Sequence, residues 1–255
     1  MLKRIVTIGV VAVALVASIF VYSTLRAPAA PSETIEAIPL PSEEAASSSP
    51  SAAPAATSDT QSSAAESAAA TDAQAESAQT TFEIVPAESE VRFELDEDLR
   101  GQRKTVVGTT DQVAGQIALD LSNLDNTQVG VIQVNARTLT TDNQMRNRTL
   151  QNRILDTSSY EYITFTPTSV AGLPDSAAVG DTITFSIIGD LTIRDVTQEV
   201  AFTVEATLIS ASELSGTATA TVLRDDFNLV IPSVPQVANV EEEVELIIDF
   251  VAEAL

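Results

Sequence analysis

Carboxylates dominate what this chain can offer to chemistry: 36 Asp and Glu stand against 13 Lys and Arg, with no cysteine and no histidine. Thiol nucleophiles, disulfides, Cys or His zinc sites and Ser-His or Cys-His pairs are therefore excluded. Asp225-Asp226 and Glu241-Glu242-Glu243 are the densest acidic sites, and paired carboxylates can hydrolyse glycosides or hold a hard cation. In a chain of net charge -23 they read instead as solvated loop and edge charges. The run Glu241 to Glu245 has no glycine-punctuated ligand pattern, and neighbouring Asp225 and Asp226 would point to opposite faces of a strand. No catalytic or metal-binding residue is assigned, no cofactor is called for, and the chain is expected not to be an enzyme. Its acidity also argues against nucleic acid as a partner, because cationic contacts to phosphate are the main source of that affinity. Arg146, Arg148 and Arg153 gather in one short segment, although only ten basic residues follow residue 81. Such a cluster can hold a phosphate or carboxylate head group. The preferred reading is a polar helix face paired with surrounding acids.

The elements that must position these groups are mostly strands. From Thr182 to Leu208, Ile183, Phe185, Ile187, Leu191 and Ile193 share one parity, and Val200, Phe202, Val204, Ala206 and Leu208 share one parity of the next run. The polar break from Arg194 to Gln198 makes this a long hairpin, since no 3.6-residue stripe absorbs both halves. Alternation also marks Phe82 and Ile84, then Val91 to Leu95, then Val113 to Leu121, where Gly115 suggests a bend. It returns in Ile132, Val134 and Ala136, in Gly216 to Val222, and in Val244 to Phe250. Asp96 to Lys104 reads as a charged loop, and Gly172 to Gly180 as another. Thr141 to Asp156 is the one convincing helix, with Thr141 or Asp142 as N-cap and Met145, Leu150, Ile154 and Leu155 as its apolar set. The residues at Gly216, Ala218 and Ala220 are unusually small for an apolar strand face, which favours a hollow interior.

Four segments resemble the YceI-like family, and they occur in the family's order. Leu191-Thr192-Ile193-Arg194-Asp195-Val196-Thr197 is similar to its Leu-Thr-Ile-x-Gly-Val-Thr motif, with Asp195 in place of Gly. Ser89, Val91 and Phe93 match the family's entry strand, where Glu88 replaces a His. Arg146, Leu150 and Asp156, followed by Tyr160, Ile163 and Phe165, resemble its helix and next strand entry. Arg224-x-Asp226-Phe227 resembles Arg-x-Asp-Phe-Gly, with Asn228 in place of Gly. The resemblance implies a lipocalin-like antiparallel barrel holding a long isoprenoid or similar lipid.

Two segments precede this region. Ile5 to Leu25 is about 21 uncharged residues, enough to span a hydrocarbon core. It is expected to be an uncleaved single-pass anchor, with a cleaved signal as the alternative. Lys3 and Arg4 before it favour the N-terminus inside and the remainder outside the cytoplasm, in the periplasm or at the cell surface. Residues 27–81 are Ala, Ser, Pro, Thr and Glu with eight acids and no Lys or Arg, and are expected to form a disordered tether.

The expected fold is thus all-β: an antiparallel lipocalin-like barrel of about eight strands with one short helix over residues 82–255, preceded by an anchor at 1–26 and a linker at 27–81. A β-sandwich is the other arrangement that alternation permits. In a closed barrel the inward parity is both core and cavity wall. Phe93, Ile132, Val134, Leu150, Phe165, Phe185, Ile187, Phe202, Val204, Ala218, Ala220 and Phe227 are therefore the expected ligand-facing set, with Arg146, Arg148 and Arg153 near the opening. Two functions follow. One is a membrane-tethered carrier or store of an isoprenoid or quinone-like lipid; the other is an interaction or scaffold module with a filled barrel.

Overall fold

The computed structural model describes residues 27–40 and 79–255. The apolar span Ile5 to Leu25 lies outside them, and no helix among the described residues is long and apolar enough to cross a membrane. The strands are β1 (Thr80–Ile84), β2 (Glu90–Leu99), β3 (Gln102–Thr110), β4 (Val113–Ala114), β5 (Gln116–Leu119), β6 (Gln128–Val129), β7 (Ile132–Asn135), β8 (Thr140–Thr141), β9 (Tyr162–Ala171), β10 (Thr182–Ile193), β11 (Val196–Ser210), β12 (Glu213–Leu223), β13 (Val237–Ala238) and β14 (Glu243–Ala254). All pairings are antiparallel.

Short strands in the first half are pieces of longer staves. β1 and β2 both pair with β14 and flank a turn at Pro86–Glu88, so they form one stave broken where proline cannot donate to the ladder. β3, β4 and β5 form the next, pairing back to β2 and β1. Its break falls at Gly115, whose carbonyl accepts from Ile84 N–H, and a Cβ there would lie 2.4 Å from Ile132 Cδ1. β6, β7 and β8 make the third. With β9, β10, β11, β12 and β14 there are eight staves, and the pairings run round them and return from β14 to β1 and β2. This is a curled antiparallel sheet, not two facing sheets, and strand alternation sends one parity inward. Along β11, Val200, Phe202, Val204, Ala206 and Leu208 are buried while Glu199, Ala201, Thr203 and Glu205 are exposed.

Three sequence expectations need correction. Asp96 to Lys104 is not a loop: β2 and β3 continue through it to a two-residue turn at Arg100-Gly101, both at positive φ (54° and 76°). Its charges belong to the strands because opposite signs face each other, Glu97 across from Lys104 and Asp98 across from Arg103. The β10–β11 connection is likewise only Arg194-Asp195, with Ile193 paired to Val196. The left-handed residue is Arg194 (φ 59°), so aspartate at 195 does not occupy the left-handed position. The helix starts later than expected and changes pitch: α1 spans Gln144–Thr149, capped by Asn143, whose side chain accepts from Met145 and Arg146 N–H. It runs on as a π-helical stretch over Leu150–Ile154, closed by Leu155 N–H donating to Leu150 C=O.

A fourth correction concerns residues 27–40, which composition assigns to the tether. They lie against the barrel. Ile35 is only 5% exposed, Ser32 donates through N–H and hydroxyl to the Glu161 carboxylate (2.8 and 2.7 Å), and Leu40 N–H donates to Gln116 Oε1 (3.0 Å). This strap runs across the outside of the wall from the β7–β9 pair to β5.

Candidate functional site

Inside the barrel is a narrow cavity of about 80 Å³. Its wall comes from the first half of β10, the second half of β11, the start of β12 and the end of β14, so it lies toward one end of the barrel. Ile132, Phe165, Phe185, Ile187, Phe202, Val204 and Ala218, seven of the expected set, line it. Phe165 and Phe202 meet edge to face there, ring centroids 4.9 Å apart.

Val134, Leu150, Ala220 and Phe227 are buried elsewhere in the core, and Phe93 packs partly buried against it. They have the inward parity or an apolar helix position, but they sit at the other end of the barrel. Phe227 is 1% exposed in the helical turn Arg224–Phe227 that follows β12. The Phe93 ring covers Gly108 on the paired strand, 2.2 Å from where a Cβ would be. The small face of β12 is also partly filled: a Cβ on Gly216 would lie 2.9 Å from Phe250 Cζ. Small residues here admit a neighbouring ring rather than leaving all their volume free.

The expected head-group arginines are at that far end too, which corrects their placement near the opening. The helix-bearing end meets the β2–β3 and β10–β11 ends of the staves: Arg146 pairs with Glu97 of β2 (2.8 Å) and with Asp142, and Arg194 in the hairpin turn donates to Ile154 C=O. Glu97 is 6% exposed, so Arg146 serves to pair a buried carboxylate. Arg148 and Arg153 stand on the same short segment, away from the cavity.

A seam in the wall lies beside the cavity. β7 pairs with β9 only over Ile132–Asn135 and Tyr162–Phe165. Beyond Phe165, β9 pairs only with β10, while β6 pairs only with β5. A bulge near Gly189 bends β9 here, where Thr168 donates to Ile188 C=O. A groove of about 650 Å³ fills the gap, lined by β6, Thr166 to Val170, Leu173 and strap residues Ile38, Pro39 and Leu40. Thr127, Val129 and Leu173 line both groove and cavity. Sequence reasoning missed these, along with Ile84, Ile117, Leu119, Ile183, Ala206, Leu214, Ile248 and Phe250 of the wall. Several were visible as alternating apolar residues, but alternation says nothing about height along the barrel.

The strap is held over this side of the molecule by a polar cluster that the sequence did not announce. Arg137 Nη1 donates to Glu161 (2.7 Å), to Ser32 Oγ (2.8 Å) and to Ala30 C=O (3.1 Å), and Asn135 donates to Glu161 Oε1 (3.2 Å). The pair is largely enclosed, with side chains 13% and 11% exposed. Burial pushes the Glu161 carboxyl up, but hydrogen bonds from Ser32 and Asn135 and the Arg137 charge outweigh it and hold the group below its ordinary value. A depressed carboxyl contributes stability above the ordinary carboxylate range and loses it as pH falls through the folded value. The protection of residues 30–40 against hydrogen exchange, relative to the intrinsic rate at each pH, should therefore be high at neutral pH and fall below about pH 4, the ordinary Glu range. Glu161→Gln should raise exchange at pH 7 and flatten the profile. A strap equally protected at pH 7 and pH 3 in the unsubstituted protein would show that the carboxylate does not hold it.

Residues 82–252 match the model of the YceI-like domain. No curated protein sequence is recognisably similar to the chain. Among solved structures, BcnA of Burkholderia cenocepacia superposes with a TM-score of 0.52 at 17% identity, over 66% of this chain and 98% of that one. A polyisoprenoid binding domain from Saccharophagus degradans, implicated in plant cell wall breakdown, gives 0.53 at 13% identity, over 69% and 99%. These likenesses establish the fold, and the match to the family model extends over more than half of the sequence: the chain belongs to the YceI-like family.

Proposed function

We propose that the protein is a non-catalytic binder of an isoprenoid or quinone-like lipid, whose chain passes the seam between β6 and β9 and lies in the barrel. The observation that carries this is the cavity lining: of eighteen residues, seventeen are apolar and the remaining one is Thr127. The relative named for polyisoprenoid binding supports the same ligand class.

Size is the counterweight. A cavity of about 80 Å³ is smaller than the roughly 150 Å³ that accepts benzene in an engineered protein core. A long chain therefore requires side chains such as Phe165 and Phe202 to turn aside, or a course running partly in the groove. If the wall stays closed, the barrel is a filled scaffold.

The proposal includes a tether: residues 5–25 anchor the chain, and the barrel faces outside the cytoplasm. One preparation tests both parts. The full chain and a chain beginning at Ala27, which keeps the strap, are expressed, fractionated, purified and extracted with organic solvent for mass spectrometry. The full chain is expected with membranes and the shorter one in the soluble fraction, each yielding an isoprenoid lipid near one per barrel. Protein without extractable lipid that also fails to take up added polyisoprenoid defeats the binder reading. A full chain recovered soluble with its first residue near Ala30 defeats the anchor.

A further inference from the structure

We infer that the side of the barrel carrying β6, β7 and β9 is its membrane-facing surface, held against the bilayer by the strap, which acts as a short leash from the anchor. This rests on the anchor and binder readings above, and adds the face presented, the lipid surface it meets and the segment that sets the distance.

Chain length carries the inference. The apolar span ends at Leu25, and Ala30 is already fastened to the barrel, its C=O accepting from Arg137 Nη1 (3.1 Å). The five residues from Leu25 to Ala30 reach at most about 18 Å, so a docked strap leaves this side no further than that from the end of the span. With the strap off the wall, the attachment point is Thr80 at the start of β1, and the same limit becomes about 190 Å. The strap is held at three further places: Ser32 on Glu161, Ile35 buried against the barrel, and Leu40 N–H on Gln116. Ile38, Pro39 and Leu40 line the groove, so the leash brings the groove with it. That lining suits a lipid surface, since Asp125 is its one charged residue in a chain of net charge -23, and Ile38 is 43% exposed. Attraction to head groups does not do the holding, because no Lys or Arg lines the groove and Glu33 and Glu36 of the strap are exposed. The covalent leash does, and a long apolar chain then passes from bilayer to groove without crossing bulk water.

The chain has no cysteine, so single donor dyes can be placed at Ser159→Cys, just before β9, and at Thr221→Cys, on β12 three staves away; both positions are exposed. Energy transfer to a head-group-labelled acceptor lipid is read with the full chain in phosphatidylcholine nanodiscs. Transfer from position 159 should exceed transfer from position 221. A Gly-Ser insertion between Arg26 and Ala27 of about 20 residues, adding a span of about 25 Å, slackens the leash without touching the latch. It should lower transfer from position 159 and erase the difference between the two positions. The same insertion within residues 41–78 should change neither. Ser32→Ala with Ile35→Asp, which frees the strap, should act like the first insertion. Because the strap lies outside the ring of strand pairings, circular dichroism should show the barrel intact in that variant. Equal transfer from both positions in the parent, or a loss on insertion into 41–78 but not after Arg26, overturns the leash while the anchor stands. A chain that does not co-elute with the nanodiscs overturns the anchor and the leash with it, and leaves the binder reading to its own extraction test.

Discussion

Phe202→Ala should cost the protein about 3–5 kcal/mol, a large part of the stability of an ordinary domain. Phe202 is 4% exposed and stands edge to face with Phe165, so truncation removes both a buried ring and its aromatic partner. The remaining space cannot collapse easily, because it joins the cavity already beside it and the strand carrying it pairs on both sides with β10 and β12. Ile209→Ala on the same strand is the internal comparison. Ile209 is 47% exposed on the outward parity, and its loss should stay within about 0.5 kcal/mol. Urea unfolding followed by intrinsic tyrosine fluorescence and circular dichroism gives both numbers, provided the slope is unchanged between variants. A cost below about 1 kcal/mol at Phe202 would mean that this part of the wall is loose enough to close over a missing ring.

That comparison shows how far the sequence carries. Strand parity is a strict two-residue period, so Phe202 inside and Ile209 outside can be read from β11 without coordinates. Height along a stave cannot be read that way. Phe93, Val134, Ala220 and Phe227 carry the same inward or apolar signal as Phe185 and Val204, yet they fill the far end of the barrel. Which end keeps free space depends on where the staves break, at Gly115 and at Pro86–Glu88, and on where β6 and β9 part. Those are properties of the whole ring of pairings.

The strap escaped for a different reason. Averaged over 27–81, composition is that of a disordered tract, but the argument from average hydrophobicity does not apply to a segment that borrows another surface. Ile35, Ile38 and Leu40 are a local cluster of large aliphatic residues, and Glu161, just before β9, is the group that holds their neighbour Ser32. The Arg146 cluster was only half legible. Three arginines in eight residues of an acidic chain could hold a ligand or pair with acids, and Arg146 does the latter, with Asp142 four residues before it and with Glu97, which the fold brings in from β2.

Putting a ring into the cavity should abolish lipid retention where the same change two residues away should not. Ala218 lines the cavity, flanked across the ladder by Val204 and Ile248, whereas Ala220 is buried in packed core outside the lining. Ala218→Phe has about 80 Å³ of free space to enter, so its cost should lie at or below the lower end of the roughly 1–3 kcal/mol typical of overpacking. Ala220→Phe has no such space and should cost that range or more. The two variants thereby separate volume from stability. Ala218→Phe should remain folded and yield no extractable lipid, while Ala220→Phe should be less stable and, where still folded, retain it. Lipid recovered from Ala218→Phe at the parental ratio would place the ligand elsewhere than this cavity. Equal destabilisation at both positions would mean that the space beside Ala218 closes in solution, leaving the filled scaffold as the account of the barrel.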